Sequence, residues 1–364
     1  MKKILAVFIT ALLLSACGKN EPPLPKDASA AETPAKVYNW KMVTTWPPNF
    51  PIFQTGVEQF AKDIKTMSNG RLNIKVYAGG ELVPPLQTFD AVSSGTVQMG
   101  HGGAYYWAGK IPAAQFFTSV PFGMNAQGMN SWMYYGGGLD LWRETYAPHG
   151  LVPFPMGNTG VQMGGWFNKK INTVDDLKGL KMRLPGLGGK VLAKAGGNPV
   201  LMAGGEIYTA LERGVIDATE WVGPFHDERL GLYRAAKYYY YPGWHEPGSV
   251  MELIVNKKAW DSLPNDLKMI VEKAADSTNV RMLAEFEAKN LDALEDLKAK
   301  GVEVLKFPTA VTDELKKLAQ TVFEEEAAKD PGFNKVYGAF KAFQEKNTQW
   351  NAISESAYAE VLKK

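Results

Sequence analysis

The chain of 364 residues contains one cysteine, Cys17, and only four histidines. A single cysteine excludes an intrachain disulfide and any metal site built from several thiolates, because each needs more than one sulfur. The histidines lack the close pairing expected of a zinc site; they are His101, His149, His226 and His245. Neither a Gly-x-Ser-x-Gly elbow nor a P-loop occurs. These absences leave no obvious catalytic group.

The sequence also lacks a large excess of one charge and an apolar run long enough to span a membrane. Lysine and arginine total 40 against 38 acidic residues, for a formal net charge of +2. Such a balance argues against a nucleic-acid partner, because phosphates require a concentrated basic face. The longest apolar run, residues 4–14, is shorter than the roughly 20 residues needed to cross a bilayer.

That short run follows Lys2 and Lys3 and ends in the tetrad Leu14-Ser15-Ala16-Cys17. A basic start, a short apolar segment and small residues predict a secretory signal peptide at residues 1–16. The tetrad resembles a bacterial lipobox, which implies cleavage before Cys17 and lipidation of its thiol. The alternative is an ordinary signal with an incidental cysteine. We expect an extracytoplasmic protein, in the periplasm or at the cell surface, that is lipid-anchored through Cys17.

Residues 17–37 are rich in proline, alanine, lysine and aspartate and predict a flexible tether, because they offer little apolar surface to bury. The remaining chain is long enough for two lobes or one large domain. Residues 53–64 have helical apolar spacing and lie between strand-like segments at 41–46 and 72–77. A strand–helix–strand unit of this kind pairs its strands in parallel. The fold class predicted is therefore α/β, followed by long helices after Pro264. Residues 266–300 are expected to form one or two of these helices.

The stretch NTVDDLKGLKMRLP, residues 172–185, is the most informative in the chain. Thr173 and Asp176 have capping-box spacing and predict a short helix, which Gly179 would end in the left-handed conformation. A short strand then delivers Arg183 to a strand end, where open α/β sheets place their ligands. The planar guanidinium matches a carboxylate in bidentate fashion. The alternative is a surface arginine in a salt bridge.

A further strand is predicted over residues 216–221. Three further polar residues follow or end predicted strands: Gln162, Glu220 and Glu246. Each alone is more typical of a surface or structural position. Together they offer two carboxylates and a carboxamide oxygen, which are suitable ligands for a hard cation.

The last predicted helix carries an apolar stripe, formed by Phe333, Val336, Tyr337, Phe340 and Phe343. A stripe this aromatic must cover either the parent body or a partner subunit. Domain-swapped dimerisation is one route to the second arrangement.

Three longer stretches carry a family resemblance: GGELVPPLQTFDAVSSGTVQMG at 79–100, LKGLKMRLPG at 177–186 and ALERGVIDATEWVGPFHD at 210–227. From about residue 38 to its end, the chain resembles the extracytoplasmic solute receptors of tripartite ATP-independent periplasmic (TRAP) transporters. The resemblance implies a receptor rather than an enzyme, with TRAP membrane subunits as its partners. It also implies a two-lobed periplasmic-binding-protein fold that closes about a hinge.

The resemblance suggests a division of the chain into two discontinuous lobes. Lobe 1 would comprise residues 38–160 and 250–288, and lobe 2 residues 161–249 and 289–325. Residues 326–364 would form a C-terminal helix that is a candidate dimerisation element.

Within that family the chain most resembles the branch that binds 2-oxo acids, such as pyruvate, or lactate as a metal–carboxylate complex. The resemblance places the carboxylate-pairing arginine at Arg183 and a glutamine that contacts ligand and metal at Gln162. It places acidic metal ligands at Glu220 and Glu246, and a backbone carbonyl ligand at Trp221.

Aromatic side chains are expected to line the ligand, with core packing as the alternative role; they are Trp221, Phe225 and Tyr106. Two glutamates, one arginine and a monoanionic ligand sum to −2, so sodium would leave −1 and calcium zero. The family resemblance permits either ion. We rank sodium first, for a 2-oxo acid receptor, and calcium second, with lactate. Other receptors of the family suggest a C4-dicarboxylate or sialic acid as alternative ligands. Alternatives from other classes are an exported hydrolase using Glu220 and Glu246 as an acid–base pair and a structural envelope lipoprotein.

Overall fold

A computed structural model describes residues 36–363 of the chain. The predicted signal peptide, Cys17 and the tether up to residue 35 lie outside the described residues.

Eleven strands in this described part of the chain form two sheets. In chain order they are β1 (Tyr38–Thr44), β2 (Leu72–Tyr77), β3 (Met99–Gly102), β4 (Leu151–Asn158), β5 (Gly165–Phe167), β6 (Lys181–Arg183), β7 (Asn198–Val200), β8 (Ala218–Thr219), β9 (Tyr238–Tyr241), β10 (Val250–Asn256) and β11 (Glu303–Lys306). The first sheet has the order β2-β1-β3-β10-β4, and the second has the order β11-β9-β5-β8-β6-β7. Both sheets mix parallel and antiparallel pairs.

The α-helices of the same residues are α1 (Phe53–Met67), α2 (Thr88–Ser93), α3 (Ala126–Tyr135), α4 (Gly138–Tyr146), α5 (Gly186–Lys194), α6 (Gly204–Glu212), α7 (Pro224–Arg229), α8 (Lys257–Ser262), α9 (Asn265–Ala299), α10 (Thr309–Lys329), α11 (Pro331–Ile353) and α12 (Glu355–Leu362). Among these helices, none combines the length and the apolarity that crossing a bilayer requires.

The predicted strand–helix–strand unit is confirmed at the start of the first sheet. Strands β1 and β2 pair in parallel, with Tyr38 opposite Leu72. Between them, α1 buries Val57, Phe60 and Ile64 at the predicted helical spacing. The local apolar pattern was therefore sufficient to identify this unit.

Each sheet is the centre of one lobe, so the α/β, two-lobed expectation is confirmed. The chain passes between the sheets from β4 to β5, from β9 to β10 and from β10 to β11. Helix α9 packs on α1 and β4 in the first lobe and on α7 in the second. The finer division at residues 160, 249, 288 and 325 remains a proposal.

The apolar stripe on α11 packs against the parent chain. Phe333, Val336 and Phe340 are buried, and the ring of Phe340 lies 5.0 Å from that of Trp132 and 5.6 Å from that of Phe116. Of the two arrangements expected for the stripe, the structure shows the contact with the parent body.

Two predicted elements have different bounds in the structure. The strand expected at residues 216–221 is limited to Ala218–Thr219. Just beyond Glu220 and Trp221, the backbone N–H of Val222 donates to the carboxylate of Asp227 at 3.1 Å. The backbone N–H of Val222 thus bonds a side chain of helix α7 and not a neighbouring strand. The helical segment at 266–300, expected as one or two helices, is the single helix α9.

Candidate functional site

Local capping positions Arg183 as the sequence predicts. A short 3₁₀ helix, Val174–Leu177, begins at Thr173, whose backbone N–H donates to Asp176 Oδ2 at 2.9 Å. Gly179 then adopts a φ of 72°, which a residue without Cβ takes at little cost. Strand β6 follows and ends at Arg183, which is only 1% exposed. The alternative of a surface salt bridge is therefore wrong.

The guanidinium of Arg183 contacts three of the residues predicted for the site. Its Nη1 donates to the carboxylate of Glu220, with which it forms a buried ion pair. Its Nη2 lies 3.4 Å from the hydroxyl of Tyr106, and its Nε lies 3.4 Å from the carbonyl of Met202. The guanidinium carbon is 5.2 Å from the ring of Trp221. Bonds of 3.4 Å are long for N–H donors, so these donors are only weakly engaged.

A second group of side chains surrounds Glu246. Its Oε2 accepts hydrogen bonds from Gln162 Nε2 at 2.8 Å and from Ser249 Oγ at 2.5 Å. Gln162 Nε2 also lies 3.2 Å from Thr159 Oγ1. These contacts fix the orientation of the Gln162 amide, and its oxygen therefore points away from them.

Three buried oxygens at this place have no hydrogen-bond donor: Gln162 Oε1, Glu220 Oε2 and Glu246 Oε1. One ligand atom each from Glu220, His245 and Glu246 lies within 4.8 Å of the others. A buried acceptor without a partner costs about 1–3 kcal/mol, and more if it is charged. A hard cation satisfies such oxygens directly. The residues present therefore fit a bound cation.

The electrostatics of the site agree with that fit. Burial, reinforced by the carboxylate of Glu220, raises the pKa of Glu246 to about 8. Burial, followed by the charge of Glu246, raises the pKa of Tyr105 well above its ordinary value. With both glutamates ionised, the two carboxylates and Arg183 would sum to −2 + 1 = −1, and the raised pKa of Glu246 reflects the cost of that excess negative charge.

The site lies where the chain passes between the two sheets. Gln162 is in the β4–β5 connection and Glu246 is in the β9–β10 connection. Arg183 and Glu220 end or follow strands of the second sheet, and Tyr106 follows β3 of the first. Gln162, Arg183, Glu220 and Glu246 are all at most 3% exposed. The site is therefore closed to water in the described conformation.

Phe225 makes its contacts elsewhere. Its backbone N–H donates to the side chain of Asn290 at 3.0 Å, and its ring lies 4.8 Å from Lys289 Nζ. Pro224 starts helix α7, and that helix presents Phe225 to α9. The predicted role of Phe225 as a ligand wall stays a prediction.

Sequence reasoning missed His245 and Ser249. Histidine metal ligands were expected as closely spaced pairs, and no second histidine lies close to His245 in the sequence. Its signal was its position next to Glu246 in the segment Trp244-His245-Glu246-Pro247. Ser249 gave no signal, because its role depends on a contact with Glu246 that only the fold creates.

The sequence pattern of DctP, the bacterial extracellular solute-binding proteins of family 7, matches residues 42–330. The chain belongs to this family. Its members are extracytoplasmic solute receptors, so the expectations of a receptor rather than an enzyme, and of an extracytoplasmic location, are confirmed.

Several individual proteins are similar to this chain over most of its length. The chain is 48% identical over 319 residues to a monocarboxylate 2-oxoacid-binding periplasmic protein of Nostoc sp., covering 88% of this chain and 87% of the relative. It resembles a TRAP periplasmic solute-binding protein of Pseudoalteromonas atlantica with bound sodium and pyruvate. That structure has a TM-score of 0.87 and 46% identity, with coverage of 89% of this chain and 99% of the other.

A third similar protein is a TRAP transporter solute-binding protein of Bordetella bronchiseptica. Its structure is a mixed-occupancy dimer with copurified calcium and picolinate in one site. The TM-score is 0.88 and the identity 41%, with coverage of 90% of this chain and 97% of that one. The predicted resemblance to TRAP receptors is confirmed.

Proposed function

We propose that this receptor captures a small monocarboxylate, a 2-oxo acid such as pyruvate or else lactate, together with a metal ion. It would deliver this ligand to the membrane subunits of a TRAP transporter. The observation that carries the proposal is a set of three donorless buried oxygens beside a buried arginine, on Gln162, Glu220 and Glu246, with ligand atoms of the two glutamates within 4.8 Å of each other. The pyruvate, 2-oxoacid and picolinate of its relatives support the same ligand class.

The side chains of the site would have different roles according to their charge. Arg183 supplies fixed, permanently charged N–H donors for one carboxylate. Gln162, Glu220, Glu246 and the carbonyl of Trp221 would hold the cation. When bound, the cation would supply positive charge. That charge would offset the cost of removing a carboxylate and its 2-oxo or 2-hydroxy oxygen from water. Tyr106 and Trp221, which flank the guanidinium, would form the walls.

A small acid with one carboxylate suits this arrangement better than the other ligands of the family. Arg183 is one guanidinium, and its long bonds to Tyr106 and Met202 leave it free to re-pair with one carboxylate. A C4-dicarboxylate would bring a second charge that must also lose its water, which is unfavourable without a further partner.

The ion is proposed to be sodium first and calcium second. With a monoanionic ligand the site sums to −2 + 1 − 1 = −2, so sodium leaves −1 and calcium leaves zero. Both ions occur in the similar structures, sodium with pyruvate and calcium with picolinate. Pyruvate and picolinate share a carboxylate with a second donor atom at the adjacent position, which is the pattern that chelates one ion.

Pyruvate should stabilise the protein only when a suitable cation is present. Protein treated with a chelator and dialysed into choline chloride is melted with pyruvate, and then with pyruvate plus sodium or calcium. A ligand at one hundred times its Kd stabilises by about 2.7 kcal/mol, which corresponds to a rise in Tm of roughly 5 °C.

Acetate has a carboxylate but lacks the 2-oxo oxygen of pyruvate. It is the matched control and should leave Tm unchanged. Stabilisation by pyruvate without any added ion, or by succinate or sialic acid instead, would contradict the proposal. Recovery of unchanged pyruvate after hours of incubation separates a receptor from a hydrolase.

We also propose that the receptor is anchored through a lipid on Cys17. The support is the basic start, short apolar run and lipobox-like tetrad that precede this cysteine. Expressed in a bacterium with labelled palmitate, the full chain should incorporate label and sediment with membranes. Cys17→Ser should lose the label and appear in the soluble fraction, and label that persists in this variant would disprove the anchor.

A homodimer through the C-terminal helices is proposed as well. The end of α11 and all of α12 expose large apolar side chains: Trp350, Ile353, Tyr358, Val361 and Leu362, each 60–74% exposed. Sedimentation velocity should show a dimer that Tyr358→Glu converts to monomer. Tyr135→Glu, at a tyrosine on α3 that is 95% exposed, is the control and should leave the dimer intact. A monomeric wild-type chain at tens of micromolar would refute this proposal.

A further inference from the structure

We propose that His245 is a ligand of the bound cation, and that its nitrogen allows the site to take a divalent first-row transition ion, such as Mn²⁺ or Zn²⁺, with the 2-oxo acid. This inference rests on the proposed function, because it concerns the same site. It adds a residue and a class of metal ion to that proposal.

The first observation is that His245 lacks partners although it is buried. Its side chain is 1% exposed, and neither Nδ1 nor Nε2 has a hydrogen-bond partner. His101 is buried as deeply, yet its Nδ1 accepts from Trp46 at 2.7 Å and its Nε2 lies 2.9 Å from the carbonyl of Met156. His226, also fully buried, has its Nε2 2.8 Å from the carbonyl of Pro51. Each of these two histidines has at least one nitrogen engaged, whereas His245 has neither.

The second observation is where those nitrogens lie. Nε2 of His245 is 3.8 Å from Glu220 Oε2, which is itself without a donor. That separation is too long for a hydrogen bond but suits two ligands of a shared ion, since each metal–ligand bond is about 2 Å. The nitrogen also lies within 4.8 Å of a carboxylate oxygen of Glu246.

Packing holds His245 in this position. On helix α5, Gly188 lies so close that a Cβ added there would be 2.9 Å from the Cβ of His245. The lack of a side chain at Gly188 therefore permits the close approach, and the helix limits movement of His245 away from the carboxylates. On its other side, the ring packs against that of Trp244, with centroids 5.4 Å apart.

The ligand atoms in the site also bear on which ions it would bind. Sodium and calcium are bound by oxygen, and a site for them alone gains nothing from an imidazole. Neutral imidazole with carboxylates is a ligand set that suits zinc, manganese and related ions. The 2-oxo acid adds a bidentate chelator to that set. A site with one nitrogen and several oxygens would therefore accept both classes of ion.

Manganese reports directly on the proposed ligand, because it is paramagnetic. Chelator-treated wild-type protein with pyruvate is titrated with MnCl₂, and free Mn²⁺ is followed by electron paramagnetic resonance. Pulsed measurements on the bound ion should detect a directly coordinated ¹⁴N nucleus, and ¹⁵N-histidine labelling should shift that coupling. This readout requires no variant and so does not depend on how well a variant folds.

His245→Gln supplies the second arm. Its affinity for Mn²⁺ should fall at least tenfold and the nitrogen coupling should vanish, while its calcium affinity should fall by a clearly smaller factor. His149→Gln, at a half-buried histidine outside the site, should match wild type in both. Absence of nitrogen coupling in wild type, or equal losses for manganese and calcium in the variant, would overturn the inference. If calcium and pyruvate bind normally in that case, the proposed function stands; if pyruvate binds with no ion at all, that function fails as well.

Discussion

Replacing Arg183 by alanine should weaken pyruvate binding by about 2–5 kcal/mol, or at least roughly 30-fold, when measured by calorimetry in saturating sodium. The guanidinium is buried and, on our proposal, is the charge partner of the ligand carboxylate. A carboxylate brought into the same closed site without that partner would lose its water and regain no comparable bond.

Two further variants make the result specific. Arg183→Lys keeps the charge but loses the planar pair of donors, so its affinity should fall between those of alanine and wild type. Arg281→Ala removes a guanidinium whose side chain is 69% exposed and should leave affinity unchanged. Since Arg183→Ala also leaves Glu220 without its ion-pair partner, each variant must show a cooperative melt before its affinity is interpreted. Unchanged affinity in a folded Arg183→Ala protein would remove this residue from the site.

Glu246→Gln should produce two effects of opposite sign. The variant keeps the shape of the side chain but removes a charge proposed to bind the cation, so calcium affinity should fall on the order of 100-fold. In chelator the same variant should be more stable than wild type at pH 8, because it no longer buries a carboxylate beside Glu220.

The direction of the second effect follows from the pKa of Glu246. In the ion-free protein this pKa is raised to about 8 from an ordinary value of 4.5. The folded state then binds more protons than the unfolded state between those values, so stability from this group is full below pH 4.5 and is lost as the pH rises through 8. Thermal melts of both proteins in chelator, from pH 5 to pH 8.5, should therefore diverge with rising pH.

Glu252→Gln is the matched control for this experiment. Glu252 is also a fully buried glutamate with a pKa raised by burial, to about 7. Its oxygens, however, accept bonds from Trp107 Nε1 and Tyr146 Oη. Its substitution should leave calcium affinity unchanged. If Glu246→Gln retains wild-type calcium affinity, Glu246 is a structural carboxylate and not a metal ligand.

A gain in stability paired with a loss of binding would be characteristic of a functional site. Residues selected for a ligand are often unfavourable in its absence. Gln162, Glu220 and Glu246 each hold a buried oxygen without a donor, which stability alone does not explain.

Much of the local structure could be predicted because its causes are local. The capping pair Thr173 and Asp176, the left-handed Gly179 and the alternation of residues 72–77 all act over a few positions, and the corresponding elements are observed. The strand predicted at residues 216–221 was too long, since only Ala218 and Thr219 pair with neighbouring strands.

The candidate site was predictable as a set of residues but not as an arrangement. Motif resemblance identified Gln162, Arg183, Glu220, Trp221 and Glu246. It gave no indication that Arg183 would pair with Glu220 in the closed state, or that Phe225 would pack on α9. Those outcomes depend on contacts between residues distant in sequence within the second lobe, such as the pairing of β6 with β8.

Short-range spacing and motifs are sufficient to assign the family, the α/β elements, and an arginine and two glutamates at or beyond strand ends. The approach of Glu220, His245 and Glu246 to one another, their burial, and the absence of a hydrogen-bond partner at His245 are visible only in the folded chain. The reason is that burial and hydrogen-bond satisfaction are properties of contacts between residues distant in sequence, which no local pattern records.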